Sequence, residues 1–216
     1  MKNVLFDFDG TLMDTWPGIE AVLRATLRDL GMAHREGYIS RGLVGMGLAR
    51  AFQELLDEGE DLAVVAARRY REFFPEIGMP RATPYGGVVP LLGSLKERGS
   101  TLFVVTARNE AITRRMLSDH GLHSCFAFVR GEKEGETPDG KGHMVAEVLE
   151  RFSLSPGECV MVGDRRYDME AARANGISAV GVTYGYGTRD ELLEAGASEI
   201  VGSIGELQEV LVGNVE

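Results

Sequence analysis

Long apolar runs are absent from this chain. No stretch approaches the roughly 18 consecutive apolar residues that a membrane-spanning helix needs, which argues against such a helix. Basic residues are few relative to acids, 23 Lys and Arg against 33 Asp and Glu, for a formal charge of −10. That balance argues against nucleic acid or an anionic membrane as the main partner, because both repel an acidic surface. Cysteine is nearly missing as well. Cys125 and Cys159 lie far apart, each in or beside an apolar strand-like run, and read as two buried thiols in a reducing compartment. The first strand is expected from residue 2 onward, leaving no room for a signal peptide, so a cytoplasmic location is expected. The histidines show no metal-ligand spacing: His120 and His123 straddle Gly121 and read as a solvated turn at a helix end.

The chemistry-bearing residues are concentrated in Asp7-Phe8-Asp9-Gly10-Thr11-Leu12, directly after the apolar run Val4-Leu5-Phe6. Side chains alternate along a strand, so Asp7 and Asp9 point one way and Phe6 and Phe8 the other. Two carboxylates therefore share one site. They repel unless a cation sits between them, which leaves two options: a bound metal ion, or a division of roles between nucleophile and acid/base. Gly10 permits a sharp turn, and Thr11 can cap the element after it. A calcium loop is excluded, because the positions that would need an acid or Asn and then a Glu hold Thr11 and Gly18.

From Gly86 onward helical and strand patterns alternate at short spacing. Helices are expected over 87–98, 109–120, 141–152, 166–175, 188–195 and from 204, with strands over 100–106, 125–129, 158–162, 178–183 and 198–201. Strands this apolar are covered on both faces, which predicts an α/β fold with a doubly wound, mostly parallel sheet. Between Asp14 and Tyr85 lie roughly seventy residues, too many for a structureless loop. Ile19, Val22, Leu23, Thr26, Leu27 and Leu30 recur at helical spacing, as do Leu48, Ala51, Phe52, Leu55 and Leu56, and a third run spans Asp61 to Phe74. Pro80, Pro84 and Gly86-Gly87 close this insert as a linker. The expected division is 1–14 with 86–216 as the core and 15–85 as a small helical domain. Placed beyond the carboxyl ends of the strands, it can exclude water from a ligand.

The Asp-Phe-Asp-Gly-Thr-Leu stretch resembles the first motif of the haloacid dehalogenase superfamily. The apolar strand Leu102-Phe103-Val104-Val105 ending in Thr106 resembles the second motif, and Lys141 at a helix start resembles the third. Val160-Met161-Val162-Gly163-Asp164, continuing into Arg165-Arg166-Tyr167-Asp168, resembles the fourth. The four occur in order and span nearly the whole chain. The resemblance implies a Rossmann-like core with an α-helical cap domain, and it implies roles. Asp7 would attack phosphorus to form an aspartyl phosphate, and Asp9 would protonate the departing oxygen and then activate water. Mg²⁺ would be held by Asp7, the backbone carbonyl of Asp9 and Asp164, with Asp168 as a direct or neighbouring ligand. Thr106 with the amide of Ala107 would hold a phosphate oxygen, and Lys141 would neutralise phosphoryl charge and steady Asp7. Lys133 is the rival for that last role, but it stands among Glu132, Glu134 and Glu136 and reads as a solvated loop charge.

Gly135 to Lys141 nearly matches a nucleotide-binding P-loop, but Gly142 stands where Ser or Thr is required, and two acids in the loop would repel phosphates. Gly42, Gly45 and Gly47 come after no strand and form no dinucleotide fingerprint. Within the resembled superfamily, phosphotransferases carry a second acid two residues after the nucleophile, so Asp9 argues for phosphate chemistry over dehalogenation. The chain is most similar to the phosphoglycolate phosphatase group. A 5'-nucleotidase, a pyrophosphatase and a β-phosphoglucomutase-like phosphomutase are the alternatives within the superfamily, and a metal-binding or receiver-like module is the alternative outside enzymes. Cap residues Arg41, Gly45, Met46 and Arg50 are the candidates for substrate specificity. The expected partner is a small phosphorylated metabolite, and the expected state a monomer or homodimer.

Overall fold

The computed structural model describes residues 2–57, 59–133 and 140–213. Its centre is a six-stranded sheet built from β1 (Asn3–Phe6), β4 (Thr101–Asn109), β5 (Phe128–Glu132), β6 (Cys159–Gly163), β7 (Ser178–Val182) and β8 (Glu199–Val201), in the order β5-β4-β1-β6-β7-β8. Every ladder in it is parallel. Alternation along each strand divides the apolar side chains between two faces. Val4, Phe6, Val104 and Val162 pack on one side with helices α4 (Val88–Glu97), α5 (Glu110–Asp119) and α9 (Ile204–Val212). Leu5, Phe103, Val105 and Met161 pack on the other with α6 (Gly142–Arg151), α7 (Arg166–Ala174) and α8 (Arg189–Ala195). Burial of each large apolar side chain contributes about 1.5–3 kcal/mol, so the doubly covered sheet is the stable base of the molecule. The fold is the expected doubly wound, Rossmann-like one.

β1 lies between β4 and β6, with Phe6 in register with both Val104 and Val162. The chain therefore leaves β1 in one direction across the sheet and later returns to its other side, and the carboxyl ends of these three strands form the crevice where ligands of such sheets bind.

Two strands outside the sheet, β2 (Met13–Asp14) and β3 (Thr83–Pro84), pair antiparallel and bracket the insert. Within it lie α1 (Trp16–Asp29), α2 (Leu48–Leu56) and α3 (Glu60–Phe73), the last prolonged by a π-helical turn over Phe74–Gly78. Pro17 in the first turn starts α1, and Ile19, Val22, Leu23 and Leu27 form its buried stripe. Gly18 lies so close to the carbonyl of Gly78 that a side chain there would collide with it, which fixes α1 against the π-helical turn.

Two expectations require correction. The strand expected over 125–129 is Phe128–Glu132, because His123–Cys125 forms a 3-10 turn and the strand instead takes in Arg130, buried against Glu147 at 2.6 Å. A charge inside a strand hid it from an apolar pattern. Consequently Cys125 is half-buried, and only Cys159 is a buried thiol. Second, β4 continues past the expected 106 to Asn109, and α5 starts at Glu110, where the Asn109 side chain caps the amide of Ile112 at 3.2 Å. The P-loop-like stretch lies largely outside the described residues, as do Glu134 and Glu136. Among the described residues no helix is long and apolar enough to cross a membrane.

Candidate active site

Asp7 comes directly after β1, and its amide donates to the carbonyl of Val162 on β6 at 2.8 Å, which extends the ladder by one residue. The carboxylate is buried. One oxygen, Oδ1, accepts from the amide of Phe8 at 2.7 Å and pairs with Lys141 Nζ at 2.9 Å. No donor among the described residues reaches the other oxygen. Lys141 stands at the N-cap of α6 and pairs at 2.5 Å with Asp168, whose second oxygen accepts from the amide of Arg165 at 3.1 Å. Asp164 comes directly after β6; Thr11 donates to its Oδ1 at 3.3 Å and the amide of Tyr186 to its Oδ2 at 2.7 Å. Gly10, at φ +76°, lies so close to Asp164 that a side chain there would overlap it.

Carboxylate oxygens of Asp7, Asp164 and Asp168 lie within 4.8 Å of one another. Burial, then repulsion from Asp168, outweighs Lys141 and pushes the Asp7 carboxyl up to about 7. Burial, then Asp7 and Asp168, raises Asp164 well above the usual carboxylate range. For Lys141 burial opposes the charge, but Asp168 and Asp7 more than offset it and hold the ammonium above its ordinary value. Three buried carboxylates thus face one ammonium. The surplus negative charge and the hard oxygen donors are what a divalent cation such as Mg²⁺ requires.

Asp9 is arranged differently. Arg108 grips it through both oxygens, Nε at 3.0 and 2.9 Å and Nη2 at 2.8 Å, and Thr15 donates to it at 2.6 Å. Thr15 is the N-cap of α1 but makes no side-chain cap, since its hydroxyl is given to Asp9. The Arg108 guanidinium lies over the Phe74 ring, 4.2 Å from its centroid, so the π-helical turn of the insert supports the cation that holds Asp9. Thr106 is buried and accepts from the amide of Arg108 at 3.2 Å. Ala107 lies where the register of β4 against β5 shifts, between Val105 and Asn109.

Asp7, Asp9, Thr106, Ala107, Arg108 and Lys141 line a cavity of about 470 Å³ whose far wall comes from the insert; Asp164 and Asp168 lie behind its lining. Gly45 is part of that wall, whereas Arg41, Met46 and Arg50 are not among the residues lining it. Arg41 sits 5.8 Å from the Trp16 ring centroid and 5.6 Å from that of Tyr186. Met46 packs on the core, and Arg50 pairs at 3.6 Å with Glu54 on the exposed side of α2. Of the two lysines weighed for the site, Lys141 reaches Asp7, while Lys133 is largely exposed and pairs with Glu147 at 3.5 Å.

Residues 4–182 match the sequence profile of the family described as Haloacid dehalogenase-like hydrolase. The chain belongs to that family. Among the relatives of this haloacid dehalogenase-like hydrolase, a 5'-nucleotidase of Pseudomonas aeruginosa is 30% identical over 97% of this chain and 95% of its own length. A phosphoglycolate phosphatase of Neisseria meningitidis is 30% identical over 98% of this chain and 94% of its own. A solved structure described as a predicted phosphatase from Clostridium acetobutylicum superposes with a TM-score of 0.92 at 31% identity, over 99% of both chains. This haloacid dehalogenase-like hydrolase is an enzyme that acts on phosphate esters.

Sequence reasoning missed several of the hydrolase's site residues. Arg108 had a usable signal, because it stands two residues after Thr106 on the same strand and so shares its face. Tyr186 had none. It comes from the loop after β7, yet its hydroxyl accepts the amides of Thr15 at 2.8 Å and Trp16 at 2.9 Å, joining the start of α1 to the Asp164 loop.

Proposed function

We propose that the chain is a Mg²⁺-dependent phosphatase that hydrolyses a small phosphomonoester through an aspartyl phosphate on Asp7. The observation that carries this is the asymmetry of the two acids: Asp7 keeps one oxygen free of any described donor, while both oxygens of Asp9 are engaged. The free oxygen attacks phosphorus, and the bond to the substrate's ester oxygen breaks. Asp9 gives its proton to that oxygen as it leaves. Asp9 then takes a proton from water, which attacks the same phosphorus, breaks its bond to Asp7 and releases inorganic phosphate.

Lys141 balances charge on the transferring group and fixes Asp7, and Asp168 fixes Lys141. Thr106 and the Ala107 amide hold a phosphoryl oxygen. Asp7, Asp164 and the carbonyl of Asp9 would hold the magnesium ion, which supplies charge neutralisation so that an anionic nucleophile can approach an anionic phosphoryl group. In this reading residues 15–85 act as the cap, 1–14 with 86–216 as the catalytic core, and the enzyme works on a phosphorylated metabolite in the cytoplasm.

The test is Asp7→Asn. Phosphate release with Mg²⁺ should fall by at least about 10³-fold, the scale expected when a nucleophile is lost, with the circular dichroism spectrum of the folded chain retained; chelator should abolish release by the unsubstituted enzyme. Undiminished turnover in Asp7→Asn would sink the mechanism.

A further inference from the structure

Resting on the phosphatase reading, we infer that the leaving group is an uncharged, ring-bearing alcohol and not a small acid such as glycolate. The volume points first to this. A cavity of about 470 Å³ lies in the range of about 300–1,000 Å³ that holds ligands of drug size, whereas a phosphoryl group carrying a two-carbon acid fills only a small part of that.

The wall points the same way. Its apolar part is formed by Leu23, Leu43, Leu48, Ala51, Phe74 and Ile112, and beyond the carboxylates its polar side chains are Tyr70, Thr106, Asn109 and four cations. A charged leaving group placed against the apolar part would lose its hydration without gaining a partner.

The cations decide it. Each one lining the cavity is already matched by a carboxylate of the protein: Arg108 by Asp9 at 2.8 Å, Lys141 by Asp7 at 2.9 Å and Asp168 at 2.5 Å, Arg71 by Glu132 at 3.3 Å, and Lys133 by Glu147 at 3.5 Å. The two buried ones, Arg108 and Lys141, are committed to the acids that perform the chemistry. A substrate carboxylate or second phosphate would have to take one of these cations from its partner, leaving an acid of the protein exposed to its neighbours' repulsion. A ring without charge asks for none of them, and it buries its faces against the leucines.

The experiment compares kcat/KM with Mg²⁺ for adenosine 5'-monophosphate, benzyl phosphate and phosphoglycolate. All three release an alkoxide, so the comparison reads recognition of the leaving group. The nucleotide and benzyl arms distinguish a nucleoside from a plain aromatic body. At least one ring-bearing ester should exceed phosphoglycolate by 10-fold or more, and Ala51→Phe, which narrows the apolar wall, should shrink that ratio by a similar factor. Phosphoglycolate equal to or better than both ring-bearing esters overturns the inference and leaves the phosphatase reading standing. No release from any of the three overturns both.

Discussion

At the scale of single residues, Arg108 and Asp9 form a largely buried pair at the site. The side chains are 8% and 12% exposed, and the guanidinium matches the carboxylate as a two-pronged fork. In the proposed mechanism Asp9 directs its proton toward a leaving oxygen, so its orientation matters as much as its presence. Arg108→Ala removes the fork and leaves the acid with Thr15 alone. Because a buried charge that loses its partner costs about 3–5 kcal/mol, urea unfolding should show destabilisation of that order. kcat for benzyl phosphate should fall by about 10²-fold, the lower end of what a positioned acid/base contributes. Arg108→Lys should recover charge but not the fork, so stability returns further than kcat does. Unchanged kcat in Arg108→Ala would show that Asp9 needs no such guide.

Among elements, one of the contacts that set the insert over the sheet is made by Arg165, immediately after Asp164. Its Nε pairs with Glu191 of α8 at 2.8 Å, and its two Nη groups donate to the carbonyls of Arg41, Gly42 and Val44. A core residue thereby holds the loop that leads to Gly45 and the cavity wall. Gly45, at φ +91°, brings its backbone against Tyr167 and Arg165, and a side chain there would be crowded as well as strained. Arg165→Ala leaves these carbonyls short of a donor, which costs about 1–3 kcal/mol. KM should rise several-fold while kcat changes less, because the wall is displaced and the acids are not. Steady-state kinetics over a substrate range checks this, and a fall in kcat with unchanged KM would contradict it. The sequence marked the insert's three helices by their apolar spacing, but a hydrogen bond between Arg165 and carbonyls more than 120 residues earlier has no periodic signature.

For the whole molecule the dominant property is the negative surplus at the centre of an already acidic chain. The Asp7 carboxyl stands at about 7 in the fold against 3.8 for the ordinary group. Between those values the folded state holds a proton that the unfolded chain has released. Stability from this group is therefore full below about pH 4 and is lost as pH rises through about 7. In the proposed function a divalent cation would substitute for the missing proton. Saturating Mg²⁺ should raise Tm more at pH 8 than at pH 5, and each kcal/mol of binding linkage should appear as about 2–4 °C for a chain of this size. Differential scanning fluorimetry at the two pH values is sufficient, and a rise that is larger at pH 5 would contradict the argument. Asp7→Asn should reduce the Mg²⁺-induced rise at pH 8.

The order of residues dictated the periodic and the local: the alternating helices and strands, the apolar strands that demand cover on both faces, and acids placed just past strand ends. Asp7, Asp164, Asp168 and Lys141 were identifiable because each stands at the end of a strand or the start of a helix, and parallel order brings those ends together. The folded arrangement settles which acid is gripped and which keeps an oxygen that no donor among the described residues reaches. It also decided that Arg41 and Arg50 lie off the cavity wall and that Arg108 belongs to Asp9. Such pairings depend on distances across elements far apart in the chain, and a one-dimensional pattern carries no distance across space. The shift of β5 to Phe128–Glu132 has the same origin. Arg130 is tolerated in a buried strand because α6 brings Glu147 to it, a compensation that exists only once the chain has folded.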